Sequence, residues 1–77
     1  MNKELNDRIV INPKIMVGKP VIKGTRVPVY IILNLLAQGY DIERILKAYP
    51  ILKKEDITAA LNYAAMRFDR EETHVHV

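Results

Sequence analysis

Residues 18–28, Gly-Lys-Pro-Val-Ile-Lys-Gly-Thr-Arg-Val-Pro, restrict the fold more than any other stretch of the chain. They hold two glycines and two prolines, which rule out a helix and leave space for only the shortest strand. Glycine permits positive φ, and proline holds φ at about −65°. The stretch therefore reads as a set of specified turns and not as a slack linker. Gly18 and Gly24 flank Val21-Ile22, which points to a compact hairpin whose tips carry Lys19, Lys23 and Arg26. A rigid, acid-free basic element of this kind is suited to touching something negative.

The flanking sequence divides into short elements. Arg8-Ile9-Val10-Ile11 is rich in β-formers and stops at Asn12-Pro13, a turn signal. Ile15-Met16-Val17, stopped by Gly18, reads as a second short strand and Val21-Ile22 as a third. Strands this short have to pack on helices. Residues 1–7 are polar and read as a frayed segment. Pro28 suits the first position of a helix, where its missing N–H costs nothing, and Gly39 suits the stop after Val29 to Gln38. Val29, Ile32, Leu33, Leu36 and Ala37 share its core face, while Ile31 and Leu35 lie roughly opposite. Asp41 is a good N-cap for the next helix, with Tyr40 and Ile45 placed for a hydrophobic staple. Ile42, Ile45, Leu46 and Tyr49 form its apolar stripe, and Pro50 ends it. A last helix over about Lys54 to Phe68 starts with Glu55 and Asp56, which suit the helix dipole. Its core stripe is Ile57, Ala60, Leu61, Ala64 and Phe68. Residues 69–77 read as a flexible charged tail. The expectation is one mainly α domain over residues 8–68, with three helices behind a short N-terminal β-hairpin element. The last two helices have helix-turn-helix spacing.

Composition narrows the class. A chain of 77 residues makes one small domain, and 49% hydrophobic residues are many for a body with so much surface. Burial against a second chain resolves this, and a homodimer is expected. Ile31, Leu35, Tyr63 and Met66 are the candidates for that interface, with burial inside the chain as the alternative. The absence of cysteine fits a reducing compartment. No segment reads as a signal peptide or a membrane span, so a cytoplasmic location is expected. The net charge of +3 is unevenly spread: residues 1–27 carry six basic and two acidic groups, and residues 69–77 one and three. That asymmetry points to an anionic partner for the first third.

Catalytic chemistry has little to stand on. There is no serine. Thr25 has no candidate base near it in sequence, and the acids at 41, 43, 55 and 56 are explained by helix starts. Gly18-Lys19 and Gly24-Thr25 are fragments of a phosphate loop without its order. His74 and His76 lack a third ligand, so no metal and no cofactor are expected. Nucleic acid is the stronger reading. A helix-turn-helix reads bases with the start of its second helix. Lys53, Lys54 and Thr58 stand there, with Glu55 and Asp56 opposed to the phosphates. The alternative contact is the basic hairpin through Lys19, Lys23 and Arg26.

The same residues carry a resemblance. Ile11-Asn12-Pro13, the run from Gly18 to Val29, Leu36-Ala37-Gln38-Gly39, Ile45-Leu46-Lys47-Ala48-Tyr49-Pro50 and the run from Glu55 to Ala64 closely resemble a small prokaryotic family called domain of unknown function 433. The similarity covers about Arg8 to Phe68, and Gly18, Pro20, Gly24, Thr25 and Arg26 fall on its signature turns. The resemblance implies a homeodomain-like helix-turn-helix fold. It also implies the antitoxin half of a type II toxin–antitoxin pair, VapB-like, which neutralises a PIN-like ribonuclease toxin and binds its own operator DNA. The family commonly has Thr or Ser where Lys53 stands, a departure that weakens the helix cap. A stand-alone DNA-binding regulator and a structural dimerisation module are the alternatives.

Overall fold

The structure, a computed structural model, describes the backbone of residues 3–71 and the side chains of residues 6–68. Strands β1 (Lys3–Asn6), β2 (Ile9–Ile11) and β3 (Pro20–Ile22) precede helices α1 (Val29–Ala37), α2 (Ile42–Ala48) and α3 (Lys54–Glu71). The strands form one antiparallel sheet in the order β1-β2-β3. Ile9 pairs with Ile22, Val10 with Val21 and Ile11 with Pro20. Proline is tolerated as the first residue of an edge strand, where no ladder N–H is needed. Side chains alternate between the two faces of a sheet. Ile9 and Ile22 thus point together into the helices, and both are fully buried.

Two expectations about the first 20 residues are corrected. The segment at Lys3–Asn6 is a strand and not a frayed end. Asn6 Oδ1 accepts the Arg8 N–H at 2.8 Å, reversing the chain so that β1 runs back along β2. The segment Ile15-Met16-Val17 is not a strand: Met16–Gly18 is a single 3-10 turn. The reason is topological. Both edges of β2 are occupied, by β1 and β3, so the residues between β2 and β3 are used up in returning the chain. The Ile15 N–H bonds Asn12 O at 2.8 Å, Gly18 N–H bonds Ile15 O at 3.1 Å and Lys19 N–H bonds Met16 O at 3.1 Å.

The helices follow their punctuation closely. Pro28 stands one position earlier than expected, at the N-cap of α1, with φ −72° and ψ 148°. Gly39, at φ +96°, ends α1. Its N–H bonds Leu36 O and the Tyr40 N–H bonds Leu35 O, both at 3.0 Å, the paired bonds of a Schellman stop. Asp41 caps α2, its carboxylate accepting the Arg44 N–H at 2.8 Å. The Arg44 guanidinium lies 3.8 Å over the Tyr40 ring. Helix α3 runs past Phe68 to Glu71 because no glycine or proline follows Pro50 to stop it. Residues 72–77, with His74 and His76, lie outside the described residues.

The core joins Ile9 and Ile22 of the sheet to Val29 and Ile32 of α1, Ile45 of α2 and Ile57 and Ala60 of α3. Burying one isoleucine of this kind contributes about 1.5–3 kcal/mol. Leu33, Leu36, Ile42, Leu46 and Tyr49 pack around it as expected. Three residues assigned to core faces are instead exposed: Ala37, Leu61 and Phe68. The α3 surface turned to the core is centred on Ile57 and Ala60, with Ala59 and Tyr63 beside it. Leu61 lies at the margin of that surface and Phe68 beyond the end of the body. Among the described residues, no helix is long and apolar enough to cross a membrane.

Candidate functional site

The basic turn after β3 is built by one side chain. Gly24 takes φ +80°, a conformation that a Cβ disfavours. Thr25 then fastens the turn from both sides. Its hydroxyl donates to Ile22 O at 2.8 Å and accepts the Val27 N–H at 2.9 Å. The Thr25 N–H also reaches Ile22 O at 3.0 Å, and the Ile22 N–H bonds Val27 O at 2.9 Å. With its hydroxyl committed to both bonds, Thr25 holds shape. Val21 bridges back to Pro28 across the turn. Lys23 and Arg26 are thus presented on a fixed frame, both exposed.

Beside this turn lies an open hollow of about 580 Å³. Val10, Ile15 and Val21 make its apolar floor, and Ile51, from the α2–α3 turn, stands on its rim at 59% exposed. Lys23 and Arg26 are its charged lining, and among the described residues no acid lines it.

A second hollow links the turn to the start of α3 and is lined by Asp7, Arg8, Lys23 and Asp56. Asp56 is buried, and its Oδ1 accepts from Arg8 Nη1 at 2.8 Å. Its Oδ2 accepts the Lys53 N–H at 2.8 Å. The second bond is half of a capping box, the third helical residue reaching back to the cap. The other half is missing because Lys53 has no acceptor to offer. Asp56 was expected to face phosphate with Glu55. It turns inward instead, because Arg8 and the Lys53 amide both lie on that side. Glu55 stays exposed. Arg8 is the residue that sequence reasoning missed. The usable signal was the acid three residues into a helix whose cap cannot bond forward.

The remaining candidates are spread over the surface. Lys53, Lys54 and Thr58 are exposed at the start of α3. Lys19 is separate from the turn: its Nζ lies 4.9 Å over the Tyr30 ring, and the two border a groove with Pro20, Leu33 and Tyr63. Gly18 takes φ +79°, preceded by Met16 at +53° and Val17 at +55°. Of the proposed interface residues, Leu35 and Tyr63 pack against this chain's own core. Ile31 is half-buried, and Met66 is 52% exposed.

Residues 9–64 match the family described as "Protein of unknown function (DUF433)". The chain belongs to this family. The DUF433 match begins with β2 and ends within α3, so it takes in the whole lining of the first hollow, leaves Asp7 and Arg8 of the second outside, and omits β1 and the end of α3. An uncharacterized protein, y4eO, from Sinorhizobium fredii (strain NBRC 101917 / NGR234) is 45% identical over 56 residues, 73% of this chain and 25% of that protein. An uncharacterized protein from Archaeoglobus fulgidus is 70% identical over 23 residues, 30% of this chain and 64% of that one. The chain thus spans a quarter of the first relative's length and under two thirds of the second's. The crystal structure of a DUF433 member protein from Anabaena variabilis superposes with a TM-score of 0.74 at 34% identity. It covers 87% of this chain and 69% of that one.

Proposed function

We propose that the protein is a non-enzymatic antitoxin that binds and occludes a PIN-like nuclease and, with it, binds its own operator DNA. The observation that carries the reading is the hollow beside the Gly24–Arg26 turn. It joins an apolar floor and the exposed Ile51 to two cations and, among the described residues, no acid. Bare phosphate is met by cations alone. A floor of Val10, Ile15 and Val21 suits a protein surface that is acidic and apolar together, as around a metal-dependent nuclease centre. Arg26, fixed by the Thr25 frame, is placed to pair with a carboxylate there.

The DNA arm of the proposal rests on α2 and α3, read as a helix-turn-helix-like pair joined through residues 49–53. The inward turn of Asp56 removes one of the acids that would oppose phosphate and leaves Lys53, Lys54 and Thr58 exposed. One copy offers few phosphate contacts, so the affinity has to come from two copies.

Co-expression with the neighbouring open reading frame, read as growth rescue and a co-purifying complex, tests the first arm. Arg26→Glu with Ile51→Asp is expected to abolish rescue while far-UV circular dichroism is unchanged. Rescue that survives this variant would sink the proposal. The second arm predicts that DNA affinity falls with rising salt, and that Lys53→Glu weakens it equally for every sequence. DNA binding with no nuclease partner would favour the stand-alone regulator.

A further inference from the structure

The groove where the head of β3 meets α1 and α3 has a lining that the proposed function does not use. It encloses about 360 Å³ between Lys19 and Pro20, Val29, Tyr30 and Leu33 of α1, and Tyr63 of α3. It shares no residue with either hollow. Val29 is buried, and Leu33 and Tyr63 pack on the core, so the floor and one wall are fixed by the fold. Tyr30, on α1, is 42% exposed. Each ring carries a cation. Lys19 Nζ lies 4.9 Å from the centre of the Tyr30 ring, and the Arg67 guanidinium 5.8 Å from that of Tyr63. Among the described residues, no acid lines the groove.

We propose that this groove is a stacking site for a base of a single-stranded nucleic acid, with Lys19 meeting the phosphate beside that base. Charge and shape select the occupant. Aromatic rings over an apolar floor, with cations and no acid, suit a flat group that carries negative charge next to it, and a nucleotide in a single strand is that combination. A cation over an exposed ring is weakly held, so Lys19 can yield the Tyr30 face to a base and move to the phosphate. An acidic peptide is served less well. An extended peptide needs a strand edge to bond, and the edge of β3 is taken: Val21 bridges to Pro28, and the Ile22 N–H bonds Val27 O. Without that ladder its own backbone groups would lose water and gain no partner. A groove of this size holds one anchor and not the several that a helix lays down. Duplex DNA keeps its base faces stacked inside and offers only edges and phosphates. The site is separate from Lys53 and Lys54, and the proposal does not depend on what the Arg26 hollow binds.

Fluorescence anisotropy of the full chain with a short labelled oligothymidylate and the matching oligouridylate is the first measurement. Single strands are expected to bind, more weakly as salt rises, and an unlabelled duplex of mixed sequence is expected to compete poorly. The tighter of the two strands identifies the source as DNA or RNA. The chain has four tyrosines and no tryptophan, so tyrosine emission reads the stacking directly and should be quenched in the complex. Tyr30→Leu is expected to weaken binding about tenfold, while Tyr30→Phe keeps the ring and binds as the unaltered protein does. Both should leave the urea midpoint nearly unchanged, because the ring is half-exposed. Lys19→Gln is expected to weaken binding and to lower the salt slope by about one. Lys53→Glu is expected to leave the single strand bound, which separates this site from the duplex arm. No binding of either strand at low salt, equal binding by Tyr30→Leu, or displacement by the duplex or by an acidic tyrosine-containing peptide as readily as by unlabelled strand would each overturn the proposal.

Discussion

The two turns that bracket β3 share a sequence style and are built in opposite ways. In the Gly24–Arg26 turn the positive φ falls on glycine, and Thr25 bonds both sides of the loop. In the Met16–Gly18 turn, two of the three left-handed residues are not glycine, and one of them is the β-branched Val17. Val17 is 93% exposed, so no packing repays its conformation. The first turn is fastened to the rest of the molecule through Val27, the sheet and the neighbouring start of α3. The second is a short return held by backbone bonds and, at its start, by Asn12 Oδ1 accepting the Lys14 N–H at 2.9 Å. The difference locates rigidity on the side of the molecule that carries Arg26, Ile51 and the start of α3, which is where a preformed binding surface has to be rigid.

The largest expected loss tests the fastened corner. Asp56→Ala removes the partner of Arg8 and the acceptor of the Lys53 N–H together. Breaking a buried pair is costly, but Arg8 is 38% exposed and can turn to water. The expected loss is therefore about 2–3 kcal/mol, at the low end for such pairs, read as a shift in the urea midpoint. Asp56→Asn keeps one amide acceptor and should lose less. Equal losses in the two variants would show that the cap bond adds nothing beyond the ion pair. Next in size is Thr25→Val, which keeps the shape of the side chain and removes both hydroxyl bonds. Ile22 O keeps the Thr25 backbone N–H, so the cost comes from the orphaned Val27 amide, at about 1–2 kcal/mol. No measurable loss would mean that the turn is set by Gly24 alone.

What could be read from the sequence divides along the same line. The Asp41 cap, the Gly39 stop and the end of α2 at Pro50 depend on residues a few positions apart, so their signals are local and clear. The Gly24 turn was readable for the same reason. The inward turn of Asp56 depends on Arg8, 48 residues away. Helix starts explain an acid at that position equally well, so the one local hint, a cap residue with no acceptor at Lys53, does not by itself mark Asp56 as buried. The extended reading of Ile15-Met16-Val17 failed because β propensity says nothing about whether a sheet edge is open. Helical periodicity placed Ile57 and Ala60 correctly. It carried Leu61 and Phe68 into the core as well, because a period gives a direction and not the point where the body ends. The basic hollow was half legible: Lys23 and Arg26 were evident, but Ile51 reaches it only through the packing of the α2–α3 turn.

Two smaller variants separate conformation from contact. Around Gly24 an added Cβ would meet nothing within 4 Å, so Gly24→Ala isolates the cost of positive φ. About 1 kcal/mol is expected. A loss well above that would mean the turn shifts and takes the Thr25 bonds with it.

The smallest effect has the opposite sign. Val17→Gly removes a β-branched residue from φ +55° and gives up almost no buried surface, because the side chain is 93% exposed. Relief of left-handed strain is worth about 1–2 kcal/mol, against about 0.5–1 kcal/mol for the greater freedom of glycine when unfolded. A net gain of about 0.5 kcal/mol should therefore appear as a higher denaturation midpoint. A strained, exposed valine that stabilises nothing in the isolated chain is a cost without a return in folding. If Val17→Gly is stabilising and also leaves nuclease neutralisation and dimerisation intact, the strain is simply the consequence of a short connection between β2 and β3. If it stabilises the chain but weakens complex formation, the loop presents Val17 to a partner, and the contrast between the turns becomes one between a rigid frame and a raised contact. A destabilised variant would contradict the strain itself and remove the contrast.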